Sequence, residues 1–137
     1  MTGEYRAYKI EDAAGVLQYR AVVQGTAAGA VNKPSAENEG KFIGVTQEAQ
    51  GTQNRSVVVK ESGRTFVVAA GIIAIGDAVQ IGDNTGKVVS AQAELVDVDV
   101  NPAALVYVIG FARTAAGADG DIIEMQIQPF VKCTPVT

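Results

Sequence analysis

The feature that most constrains the fold of this sequence is an internal repeat. The segment Phe42–Val45 recurs 66 residues later as Val108–Phe111, with glycine at the third position of both copies. The segments Ala49–Gly51 and Ala115–Gly117 recur at the same spacing. A unit that is used twice within 137 residues builds one scaffold from two similar parts. Such an arrangement is more typical of a structural protein than of a catalyst.

A second pair of matching segments lies upstream of the first pair. The segment Ala21–Gly25 matches Ala78–Gly82, which lies 57 residues later. The difference between the two spacings predicts an insertion of about nine residues in the second copy, around Asp97–Leu105. The sequence therefore predicts two repeat halves, at roughly residues 16–60 and 73–127.

The composition favours β-structure. Valine, alanine and isoleucine dominate a hydrophobic content of 47%, tryptophan is absent, and 15 glycines are scattered between the apolar runs. β-Branched residues favour sheets, and scattered glycines favour tight turns. We therefore expect an all-β fold of about ten short strands, arranged as a compact sandwich or a barrel-like domain. One or two short helical turns are expected, after Ser35 and after Asn101.

The length of the chain predicts a single domain. Polar and aromatic residues at the start predict an extended N-terminal arm over residues 1–12, followed by one β-rich domain over residues 13–131. Residues 132–137 are expected to form a C-terminal tail that carries the single cysteine, Cys133. One cysteine cannot form a disulfide within the chain, which is typical of a protein made in a reducing cytoplasm.

The charge and hydropathy of the chain argue against two classes of partner. The net charge is −4 and the isoelectric point is about 4.7, whereas binding to duplex nucleic acid normally needs a basic face. No apolar run approaches the roughly 18 residues that a membrane-spanning helix needs, and the N-terminus lacks the pattern of a signal peptide. We therefore expect neither a nucleic acid nor a membrane as a partner.

The sequence lacks the usual groups for catalysis. Histidine is absent, which removes the commonest general base, the Ser-His-Asp and Cys-His arrangements, and most zinc sites. Asp77 and Asp83 could in principle act together as acid and base. Each follows a glycine, however, and an aspartate in such a turn is expected to accept backbone hydrogen bonds. The sequence therefore predicts no catalytic residue and no enzyme activity.

Two segments come close to ligand-binding motifs and fail. The loop at residues 82–88 has three residues between its glycines where a phosphate loop has four, and Val88 replaces the required Ser or Thr. The acidic segment Asp97–Asn101 has the spacing that opens a calcium loop, but Pro102 stands where the loop needs glycine. A strand with Asp97 and Asp99 towards solvent explains that segment better. We therefore predict no metal site and no cofactor.

The order and spacing of the glycine-punctuated strands resemble one known family. The segments that carry the resemblance are Gly15–Val16, Tyr19–Val22, Phe42–Val45, Val67–Gly71, Ile75–Val79, Gly86–Val88, Ile109–Ala112, Ala115–Gly117 and Gly120–Ile123. Over roughly residues 5–130 the chain resembles the small bacteriophage capsid cement, or head decoration, proteins.

The resemblance implies a structural role without catalysis. Proteins of this family are made in the host cytoplasm and bind the outside of the phage capsid. They usually do so as homotrimers, and they stabilise the capsid by bridging subunits of the major capsid protein. An N-terminal arm commonly contributes to capsid contact, which would place the contact at Tyr5, Arg6, Tyr8 and Lys9.

A β-rich module that binds a glycan or a host surface is the alternative. Such a module would need aromatic side chains clustered in a groove, and this chain has only four Phe and four Tyr.

Overall fold

The computed structural model describes residues 3–93 and 105–133, and within them the chain is built from β-strands. There are ten strands: β1 (Tyr5–Ile10), β2 (Ala21–Gln24), β3 (Ala30–Asn32), β4 (Phe42–Thr46), β5 (Ser56–Lys60), β6 (Gly63–Val68), β7 (Ala78–Ile81), β8 (Val88–Ser90), β9 (Leu105–Ala112) and β10 (Ile122–Cys133). The all-β prediction is confirmed. Residues 35–38 form bends and a turn, not the helical turn expected there, and the helical turn expected after Asn101 lies outside the described residues.

The ten strands form two units with the same topology. The first five close into a barrel in the order β1-β3-β2-β4-β5, and the last five form a sheet in the order β6-β10-β9-β7-β8. Replacing each strand of the barrel by the strand five places later in the chain gives all four neighbour pairs of the sheet, and only the barrel pair β1–β3 has no paired strands as its counterpart. We call residues 5–60 the first module and residues 63–133 the second module.

The two modules share their pairing register as well as their strand order. Val22 pairs with Gly44 and a β-bulge follows, and Val79 pairs with Gly110 and is followed by the same bulge. The paired residues of the two modules lie 57 and 66 residues apart, which are the spacings of the sequence repeat. The repeat in the sequence is therefore a repeat of hydrogen-bonded strand pairs.

The second module depends on the first for its core. The interior of the first module is a cluster of its own: Tyr8, Ile10, Val16, Val22, Val31, Val57 and Val59. The equivalent side chains of the second module belong to a larger cluster that also includes Ala21, Val23 and Val45 from the outer face of the first barrel. The hydrophobic surface that these three residues bury stabilises both modules together.

The ends of the chain differ from the predicted arm and tail. Residues 5–10 form β1, which pairs with five residues of β5 and, in parallel, with β3. The predicted arm over residues 1–12 therefore does not describe β1, because Tyr8 and Ile10 alternate into the barrel among polar neighbours that hide the pattern. At the other end, β10 runs through Cys133, so the start of the predicted tail at residue 132 is also strand.

Candidate functional site

Strand β1 carries the four residues predicted to contact a capsid, and it presents three of them to solvent. Arg6 and Lys9 are exposed, and Tyr5 is 53% exposed. Tyr8 is only 8% exposed, since its ring belongs to the core of the first module. The Tyr8 side chain therefore packs within the fold, and it offers a partner much less surface than the other three residues do.

Tyr8 is held in place by a hydrogen bond at the end of the barrel. Its phenol group donates to a carboxylate oxygen of Glu61. Burial raises the pKa of the Tyr8 phenol, and the hydrogen bond and negative charge of Glu61 raise it further. The neutral phenol is therefore the form that the folded protein favours.

Tyr5 covers a buried lysine at the junction of the two modules. The Nζ atom of Lys60 lies 5.0 Å from the centre of the Tyr5 ring and donates a hydrogen bond of 2.5 Å to the carbonyl oxygen of Arg64. Lys60 is 1% exposed, so the ring shields its ammonium group from water. One face of Tyr5 is thus used inside the protein.

The parallel contact between β1 and β3 closes the first barrel, and we call it the first seam. The N–H of Lys9 donates to the carbonyl oxygen of Gly29 at 3.0 Å, and the N–H of Glu11 donates to that of Val31 at 3.0 Å. The Glu11 carboxylate also accepts hydrogen bonds from the N–H and hydroxyl groups of Thr26, at 2.8 and 2.7 Å. These bonds hold the pKa of Glu11 below its ordinary value.

A groove at the module junction gathers aromatic side chains. It has a volume of about 260 Å³, and it is lined by Gly40, Lys41, Phe42, Tyr107, Val108, Ile109, Pro129, Phe130 and Val131. Phe130 also stacks on Phe111, with ring centres 5.9 Å apart. Four of the eight aromatic residues of the chain therefore meet here. The sequence analysis missed this groove because these residues are far apart in the chain.

An extension of β9 and β10 forms one wall of the groove. These strands have 8 and 12 residues, whereas the equivalent β4 and β5 have 5 each. Asn38 caps the outer edge of β9: its side-chain amide donates to the carbonyl oxygen of Leu105 at 2.7 Å and accepts from the N–H of Tyr107 at 2.9 Å. The first module has no counterpart of this extension.

The outer edge of β10 is covered along only part of its length. Pairing with β6 ends at Ile127, so within the described part of the chain Gln128–Val131 have a strand neighbour on one side only. The side chains of Phe130 and Val131 are 38% and 54% exposed there. An open strand edge with apolar side chains suits contact with another protein.

The two aspartates considered for catalysis serve turns. Asp83 accepts hydrogen bonds from the N–H and hydroxyl groups of Thr85, at 2.9 and 2.6 Å. Partial burial acts to raise the pKa of Asp83, but the bonds from Thr85 and Lys87 together hold it below its ordinary value. Asp77 accepts from the N–H of Ala74 at 3.1 Å and from the hydroxyl of Ser90 at 2.9 Å. Both carboxylates thus have the structural role that the turns predict.

Two further properties bear on the kind of site. Across residues 3–93 and 105–133, no three His, Cys, Asp or Glu side chains come together in a group that could hold a metal ion. No helix in this described part of the chain has the length and apolar character needed to cross a membrane. The described surface presents exposed side chains on β1, and a groove with an open strand edge beside it.

The fold of this chain has a counterpart among solved structures. It is similar to the N base of head fiber gp8.5 of bacteriophage phi29, with a TM-score of 0.60 and 18% sequence identity over 91% of this chain and 93% of the other. Neither a family model nor a curated protein matches the sequence. At 18% identity the similarity establishes a shared fold, and that fold agrees with the resemblance to capsid decoration proteins.

Proposed function

We propose that this protein is a structural component of a bacteriophage virion that binds the outside of the capsid and stabilises it. The observation that carries the proposal is the similarity of nearly the whole chain to the base of a phage head fiber. The described surface fits this role, because it offers exposed side chains on β1 and an apolar groove to a protein partner. Binding through such surfaces gains its strength from buried area and from many copies on one shell.

The partner in this proposal is the major capsid protein, and the protein bridges neighbouring capsid subunits as a homotrimer. Tyr5, Arg6 and Lys9 are the contact residues, because all three are exposed on β1. Arg6 and Lys9 supply positive charge on a chain with net charge −4. Charge of opposite sign on the capsid would steer the protein so that β1 approaches it.

Co-sedimentation with purified empty heads tests the proposal, together with light scattering of the free protein. We expect saturable binding and a mass in solution or on the shell that corresponds to three chains. The double variant Arg6→Glu/Lys9→Glu should weaken binding at least tenfold. Arg113→Glu, an exposed cation on the second module, serves as the control and should bind as the wild type does. No binding of the wild-type protein to heads would refute the proposal.

The groove supports one alternative, a module that binds a glycan or a host surface. Phe42, Tyr107 and Phe130 line it, and exposed aromatic rings are common in sugar-binding grooves. Lys41 is the only charged residue in the lining, however, whereas a glycan needs several hydrogen-bonding partners. A glycan array with specific hits that are lost in Tyr107→Ala would favour this alternative over the capsid role.

A further inference from the structure

The parallel contact that closes the first barrel has a counterpart in the second module, where it is only partly formed. In the second module, Ala69 and Val88 form the parallel bridge that is equivalent to Ile10 and Val31 of the first seam. The N–H of Ala70 donates to the carbonyl oxygen of Val88 at 2.7 Å, as Glu11 does to Val31 in the first module. We call this contact the second seam.

The second seam lacks the next hydrogen bond of the ladder, because a segment of the first module lies in its place. Val68 is equivalent to Lys9, and Gly86 is equivalent to Gly29. Instead of bonding to each other, the N–H of Val68 donates to Tyr19 O at 3.0 Å and Gly86 O accepts from the N–H of Ala21 at 2.8 Å. One ladder bond is thus replaced by two bonds to an inserted segment, which runs from the turn at Tyr19 into the start of β2.

Sequence differences explain why only the first seam is closed. Glu11 ties β1 to the turn at Thr26, and an ion pair of 3.6 Å between Asp12 and Lys33 ties the same end of β1 to the residue that follows β3. Ala70 and Gly71 stand at the positions equivalent to Glu11 and Asp12. The second module therefore lacks both side chains that latch the first seam.

The surroundings of the first seam are exposed where those of the second are covered. Lys9, Gln24 and Gly29 are exposed. Their equivalents Val68, Ile81 and Gly86 are all buried. The first seam thus leaves exposed a surface whose equivalent in the second module is covered.

We infer that the first seam is a docking site for a backbone segment of a partner protein that carries a carboxylate for Lys9. The segment would take the place of the bond between Lys9 and Gly29 and form two backbone bonds of its own, as residues 19–21 do in the second seam. Lys9 lies at the site, in register with Ala30 and exposed, and it would pair with a carboxylate on the segment. With the capsid protein as that partner, the inference rests on the proposed function and gives its mechanism of attachment.

A reversible lock across the first seam tests the inference. Lys9 and Ala30 are paired in register, so their Cα atoms lie within the range that a disulfide spans. The variant Lys9→Cys/Ala30→Cys, made with Cys133→Ser, can be closed by oxidation and reopened by reduction. Ala7→Cys/Val58→Cys is the matched control, because it locks β1 to β5 on the side of the barrel that is not proposed to open.

Binding to empty heads is measured for the oxidised and the reduced form of each variant. We expect oxidation to weaken binding of the seam variant at least tenfold, reduction to restore it, and the control to bind equally in both states. Equal binding of the two states of the seam variant would overturn the inference while leaving the proposed function intact. Failure of the wild-type protein to bind heads would instead overturn the proposed function.

A second variant probes the latch without a cross-link. Glu11→Gln weakens the hydrogen bonds that close the first seam, so the partner should open it more readily and bind severalfold more tightly. Glu4→Gln makes the same change of charge at an exposed position near the start of β1 and should leave binding unchanged. Glu11→Gln binding no more tightly than Glu4→Gln would contradict a seam that opens.

Discussion

Substituting alanine for either Gly44 or Gly110 should destabilise the protein by a similar amount. These glycines hold equivalent positions beside the shared β-bulge. A Cβ atom on Gly44 would lie less than 3.0 Å from the carbonyl oxygen of Lys60 and 2.6 Å from a methyl group of Val59. A Cβ atom on Gly110 would crowd the carbonyl oxygen of Gln126 in the same way. The neighbouring strand, and not a flexible side chain, must therefore move.

The magnitude follows from how far the strands must separate. Carbon and carbonyl oxygen normally approach no closer than about 3.3 Å, so each substitution pushes the strands apart by several tenths of an ångström or more. Overpacking of this kind costs about 1–3 kcal/mol, and a weakened ladder hydrogen bond adds about 1 kcal/mol. We expect each substitution to lower the free energy of unfolding by about 2–4 kcal/mol.

Urea denaturation measures these changes, with Gly51→Ala and Gly71→Ala as controls. An added Cβ on either control glycine has no atom within 4 Å, and both residues have ordinary backbone angles. The controls should therefore change the free energy of unfolding by no more than about 0.5 kcal/mol. If Gly44→Ala and Gly110→Ala each lower the free energy of unfolding by less than about 1 kcal/mol, the neighbouring strands do not approach these two glycines as closely as described.

Three further predictions concern single side chains. The lowered pKa of Glu11 stabilises the fold above its ordinary value of 4.5, and this contribution is lost as the pH falls through the lower pKa of the folded state. The protection factor of the Lys9 amide, which compares its exchange rate with that of an unstructured peptide at the same pH, should therefore fall in acid for the wild type, and Glu11→Gln should abolish this dependence. Tyr8→Phe should lower the free energy of unfolding by about 1 kcal/mol, since it removes the hydrogen bond to Glu61. Its binding to empty heads should equal that of the wild type, and weaker binding would indicate that Tyr8 contacts the capsid. Asn38→Ala should cost about 2–3 kcal/mol, because two hydrogen bonds and a residue suited to positive φ are lost. Asn38→Gly keeps the backbone freedom, so it should be the milder variant in thermal unfolding.

The sequence predicted much of the fold because the repeat reflects paired strands. Glycines at positions 44 and 110 are required by close strand approach in both modules, so they survive as a visible match. The equivalent strands β1 and β6, in contrast, show no match in the sequence. Tyr8 and Val67 fill the same interior position with different side chains, and β1 contains no glycine. A strand that only needs an apolar inward face can lose all identity with its copy.

The sequence predicted the candidate contact surfaces less completely than it predicted the fold. Exposure of Arg6 and Lys9 was predicted, but Tyr8 looked equally available because alternation within β1 is masked by its charged neighbours. The groove depends on Phe42 and Phe130, which are brought together by packing between modules. The opened second seam depends on where residues 19–21 of the first module lie, and no local pattern encodes that.

The shared core has a consequence for the order in which the protein is made. The first module leaves the ribosome first, and it has a complete interior with which to fold before the rest of the chain emerges. Its outer face, with Ala21, Val23 and Val45, then serves as the template on which the later strands assemble. Premature termination near residue 62 would leave Ala21, Val23 and Val45 without the strands that cover them, and uncovered apolar surface promotes association with other chains.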